Sequence, residues 1–183
     1  MKTAHHFKAS LIVTALLSFS VAQAATLTKE EYKADKTRIS ADYKADKNAC
    51  DAMKSNAKDV CVQEAKAKEA VARAELEYSY SGKAADQTKV REAKAKAAYA
   101  VAKEKCDDLS GNAKDVCVKE AKALEVTALS DAKMGKKVGE AKNEAAEDKS
   151  DANYKVAVEK CDAMAGDANT RCVAAAKSKF GKN

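Results

Sequence analysis

The residues of this chain with chemistry to offer are six cysteines, and they come in three pairs. "CDAMKSNAKDVC" runs from Cys50 to Cys61, "CDDLSGNAKDVC" from Cys106 to Cys117, and "CDAMAGDANTRC" from Cys161 to Cys172. Such pairs can ligate a metal, exchange disulfides, supply a thiolate nucleophile or close a structural disulfide. The C-x10-C spacing is not a usual zinc spacing, and a redox enzyme more often carries C-x-x-C. An even cysteine count in an exported chain reads instead as a disulfide framework. Of the pairings that six cysteines allow, the recurrence selects Cys50–Cys61, Cys106–Cys117 and Cys161–Cys172. Each would close a loop worth ~3 kcal/mol in the chain-entropy model.

The spacing also says what must position these residues. On one continuous helix the two members of a pair would lie ~16 Å apart, whereas a disulfide needs Cα atoms within about 7 Å. The chain must therefore turn between them. Gly111 and Gly166 can take a left-handed conformation, Ser55 holds that place in the first copy, and Asn56, Asn112 and Asp167 follow as N-cap candidates. The pattern predicts helix, tight turn, helix. A Tyr stands seven residues before each first cysteine (Tyr43, Tyr99, Tyr154) and a large apolar residue three after it (Met53, Leu109, Met164). These offsets place all three on one helix face. The first cysteines recur at intervals of 56 and 55 residues, which suggests stacked supersecondary units.

Other catalytic chemistry is scarce. Both histidines, His5 and His6, fall in an N-terminal stretch that reads as an export signal: basic at Lys2 and Lys8, then the uncharged "ASLIVTALLSFSVAQA". That stretch is short for a membrane span, and "AQA" sets the expected cut between Ala24 and Ala25. The remainder has no His, Trp or Pro, and loss of the two signal Lys lowers the formal net charge from +6 by two. Enzyme routes left to it are paired carboxylates, a Lys base or a free thiolate. Its carboxylates interleave with Lys at helical spacing, as in "EAKAKEAVARAELE", which reads as ion-paired solvated faces. There is no Gly-rich phosphate loop. We expect no enzyme, no cofactor, no metal and no small-molecule substrate.

The elements follow from composition and pattern. Ala, Lys and Glu are strong helix formers, but Leu, Ile, Val, Met and Phe make up only roughly a seventh of the exported chain, low for a folded domain. The expectation is an all-α chain of three repeated hairpins, each closed by a C-x10-C disulfide, with Ala-rich helices in a thin-cored or elongated bundle. The boundaries expected are a signal peptide over 1–24 and hairpins over 25–80, 81–134 and 135–183. "TKEE" from Thr28 is a capping box that opens the first helix. "SGKAAD" from Ser81 and "MGKKVG" from Met134 are the two connections. The second hairpin is expected to bury Cys117, Ala121, Leu124 and Ala128 on its return.

The stretch "YKADKNACDAMKSNAKDVCVQEAKAKEAVARAELE" resembles a family of exported Ala/Lys-rich bacterial proteins of the TolA-like cell-envelope kind. The resemblance is compositional and implies a helical envelope protein. The eleven-residue echo of "YKADK" at Tyr32 and Tyr43 is similar to the repeats of late-embryogenesis-abundant stress proteins. The export signal, the three stapled hairpins and the lack of a catalytic set point to a non-catalytic periplasmic or secreted scaffold or adaptor; the charged, Ala-rich helices offer stress protection as the alternative. An envelope protein or a second copy is the expected partner. Nucleic acid is not expected, because acids are mixed into every basic stretch. Contact with an anionic membrane surface is open to the Lys side chains, although the apolar faces carry Ala and Val rather than Trp, Phe and Leu.

Overall fold

The computed structural model describes residues 27–182, so the expected signal and its cut at Ala24 and Ala25 lie outside the described residues. All regular structure in them is helical. Five α-helices run in order: α1 Lys29–Ala49, α2 Ser55–Ser81, α3 Ala84–Lys105, α4 Gly111–Cys161 and α5 Asp167–Phe180, with single 3-10 turns at Cys50–Ala52 and Cys106–Asp108. None of the helices described is long and apolar enough to cross a membrane.

Local chemistry sets the ends. Thr28 accepts from the Glu31 N–H at 3.2 Å while its own N–H donates to Glu31 Oε2 at 2.8 Å, which satisfies two orphan donors of α1. Gly82 ends α2 in the left-handed region (φ 63°), where its N–H donates to the Tyr78 carbonyl at 2.8 Å.

The connection expected at Met134–Gly139 is not one: α4 runs through it without a break. The boundary between 134 and 135 therefore falls in mid-helix, and the second and third hairpins share α4. A helix stops where a residue turns left-handed and the next continues extended, as at Gly82 and Lys83. Neither Gly135 nor Gly139 has a positive φ, and each costs only about 1 kcal/mol relative to Ala within a helix. Gly135 also makes room for a crossing side chain, since a Cβ there would stand 2.6 Å from Arg91 Nη1 of α3.

Packing follows chain order: α1 on α2, α2 on α3, α3 on the first half of α4, and α5 on the end of α4. The helices thus form an open, antiparallel row. At 1.5 Å per residue α4 is about 76 Å long, and α3, less than half as long, covers only its first part. Residues 136–149 of α4 are exposed on every side.

The core is thin. The fully buried side chains are Cys50, Cys106 and Cys161, joined along the helices by Ile39, Leu76 and Val90 and by Ala65, Ala95, Ala121, Ala132 and Ala176. Ala lets helices approach but removes little apolar area from water. Exposed ion pairs lace the row, Lys68 to Asp46 at 2.7 Å, Lys94 to Glu75 at 2.7 Å and Lys105 to Glu64 at 2.9 Å, each contributing little.

Candidate functional site

Three stapled turns are the features of this molecule built with the most care. All three expected disulfides are formed, with Cα atoms 5.6 Å apart at Cys50–Cys61, 5.8 Å at Cys106–Cys117 and 5.6 Å at Cys161–Cys172. The first cysteine of each pair is buried and the second half-buried. No described cysteine is free, so in this state none supplies a thiolate. Among the described residues no group of His, Cys, Asp and Glu side chains is arranged to hold a metal ion.

One backbone path serves all three turns. The N–H of Met53, Leu109 and Met164 donates to the carbonyl of Cys50, Cys106 and Cys161 at 3.0, 3.0 and 2.9 Å. The chain then reaches a positive φ at Ser55 (52°), Gly111 (56°) and Gly166 (55°). The left-handed residue sits at the start of the returning helix rather than closing the incoming one. For that reason Asn56 and Asn112 are not N-caps: the helices begin at Ser55 and Gly111, behind Lys54 and Ser110. Asp167 likewise is the first residue of α5, and Gly166 caps it. Asn56 is used elsewhere, donating to the Glu104 carbonyl of α3 at 3.2 Å and so pinning the first turn beside the second. Lys58 and Lys114 reach back across their turns to Asp51 at 2.9 Å and Asp107 at 2.8 Å. In the third turn Asn169 replaces that ion pair, donating to the Cys161 carbonyl at 2.9 Å.

Met53, Leu109 and Met164 do not join the apolar face expected of them. They project from the turns and are 46%, 44% and 47% exposed. The extended backbone at Met53 and Leu109 breaks the helical offset that would have carried them inward. The first and second turns therefore present two apolar side chains at one end of the row, and the third presents one at the far end of α4. The tyrosines sit half-buried on the hairpins: Lys122 Nζ stands 4.8 Å from the Tyr99 ring, and Tyr154 meets Phe180 at 6.2 Å.

Two open grooves flank α2. One, of about 420 Å³, lies against α1 over Ile39, Tyr43 and Leu76, rimmed by Asp35, Arg38 and Asp46. The other, of about 720 Å³, lies against α3 and is lined by Ala67, Val71, Ala98 and Val101. Neither holds a buried polar group without a partner.

Leu124 is a further correction. It is 72% exposed, and Glu125 takes the buried place at 8%, held by Lys122 at 2.6 Å. The face of α4 that meets α3 passes through Ala121, Glu125 and Ala132, and Leu124 lies about 80° off the middle of that line. The expected stripe of Cys117, Ala121, Leu124 and Ala128 is one residue out of register from Leu124 on: Ala128 too is exposed, and Leu129 is the half-buried residue beside it.

Set against protein families, curated proteins and solved structures, the chain matches none of them.

Proposed function

We propose that this is a non-catalytic scaffold or adaptor of the bacterial cell envelope, exported by a signal peptide over 1–24 and working in the periplasm. The observation that carries the reading is α4: a continuous 51-residue helix with stapled turns at both ends. A helix of that length spans about 76 Å, which suits a spacer between components better than an enclosed active site. Three disulfides are in keeping with an oxidising compartment. The composition, like that of the TolA-like proteins it resembles, supports an envelope setting. The partner is an envelope protein, engaged at the exposed turn residues Met53 and Leu109 or Met164.

A second reading, stress protection of client proteins, is favoured by the shallow apolar groove between α2 and α3. In-cell cross-linking of the tagged protein, followed by non-reducing mass spectrometry, separates the two. One dominant envelope partner supports the scaffold. Many unrelated soluble partners support protection. A chain recovered free, with no partner, counts against both.

A further inference from the structure

Six large apolar side chains of α4 are exposed; Val126 points to another side of the helix, and the other five are Val116, Leu124, Met134, Val138 and Val156. At 100° per residue they fall within a sector of about 80°, roughly 130° away from the side that packs on α3. From Leu124 onward they lie on or beside a heptad seam: Leu124, Thr127, Asp131, Met134, Val138, Ala141, Ala145, Asp148 and Ala152. This seam spans the ~3–4 heptads that a coiled coil needs. Off the stripe, the large exposed apolar side chains among the described residues are isolated: Val126 alone on another side of α4, and Met53, Tyr80, Leu109 and Met164 at turns or helix ends. The face that matches this stripe is therefore the same stripe on another molecule. We propose that two copies of the chain associate through α4, antiparallel, about a two-fold axis near Glu140.

Charge selects the direction. About that axis Lys137 faces Glu144 of the second copy, and by symmetry the pair occurs twice. A parallel pairing would instead set Lys137 against Lys142, a repulsion that only cancels the attraction of Glu144 for Lys149, and so would gain nothing net from these charges. In the antiparallel seam Val138 lies against Ala141 of the second copy and Met134 against its Ala145. The stapled bodies stand on the opposite side of α4 from the seam, so neither obstructs it. The contact also covers residues 136–149, the exposed stretch that no other described helix packs against. The same axis sets Asp131 across from Asp148 of the second copy, a like-charged layer that keeps association weak and reversible. The inference needs only this face of α4 and does not rest on an envelope role.

The test is sedimentation equilibrium of the chain from Ala25 onward, between ~1 and ~300 µM, with disulfides intact. A concentration-dependent dimer is expected. Lys137→Glu and Glu144→Lys should each weaken it by ~tenfold, because each turns two attractive pairs into repulsive ones, and the double reversal should restore it. Val138→Asp should abolish the dimer while leaving helicity by circular dichroism unchanged. A monomer at every concentration would overturn the proposal. So would a dimer that ignores the single reversals, or one that the double reversal fails to restore.

Discussion

Replacing both Cys161 and Cys172 by Ala should release α5 while leaving the first two hairpins folded. Cys161–Cys172 closes a loop of eleven residues' separation, worth ~3 kcal/mol as chain entropy, or a factor of about 150 in the opening equilibrium. Little else holds α5. It is 14 residues long, close to the ~12–15 residues below which an isolated helix is marginal. Its buried contact is Ala176, with Phe180 edge-on to Tyr154 and Lys182 paired to Asp151 at 2.5 Å. By contrast α1 and α2 pack along their whole length, so removing Cys50–Cys61 should lower the stability of the body by about as much without melting one helix selectively. The assay is amide hydrogen exchange resolved to peptides. In the Cys161→Ala, Cys172→Ala protein, protection over 167–180 should fall by ~100-fold, with α2 and α3 unaffected. Protection of α5 unchanged within threefold would refute the claim that the staple, and not packing, holds the third hairpin.

Ser55 holds a positive φ at the place where Gly holds one in the other two turns. Ser55→Gly should stabilise the chain by about 1 kcal/mol, and Gly111→Ala should destabilise it by at least as much, both read from urea midpoints. Gly139 has open space where a Cβ would go, so Gly139→Ala should strengthen the bare stretch of α4 by about 1 kcal/mol and slow its amide exchange. Three carboxyls are held below their ordinary range: Glu31 by the Thr28 backbone and hydroxyl, Asp51 by Lys58, and Asp86 by Lys89 and Ser81. A depressed folded pKa gives stability that is present above the unfolded value and is lost as pH falls through the folded one. The melting temperature should therefore be flat from pH 6 to 8, where no His between 27 and 182 titrates, and should decline only below about pH 4.

Much of this architecture was legible in the residues because it rests on local chemistry. The cysteine spacing demanded a turn, "TKEE" demanded a helix start, and Gly82 closed α2 as its position implied. What was not legible depends on tertiary placement. Gly135 and Gly139 look like a connection, yet Gly135 accommodates Arg91 and neither residue turns left-handed. Leu124 looks like core, but the line that faces α3 runs through Glu125, whose charge Lys122 offsets. Asn56 looks like a cap, and only the neighbouring end of α3 shows why it is not. The exposed positions of Met53, Leu109 and Met164 depend on a backbone path that leaves the helix right after the cysteine, which periodicity does not encode.

The central claim is that α4 is one rigid strut between two stapled ends. Lys119 and Lys155 lie on the same exposed side of it, about 54 Å apart at 1.5 Å per residue. Spin labels carried on unnatural amino acids at those two positions, which leave every cysteine in its disulfide, would measure that separation by pulsed dipolar spectroscopy in an excess of unlabelled protein. A single narrow distribution near 54 Å, allowing for the label linkers, is the predicted result. A broad distribution, or one centred ~15 Å or more shorter, would mean that the chain bends at Met134–Gly139 and would contradict it.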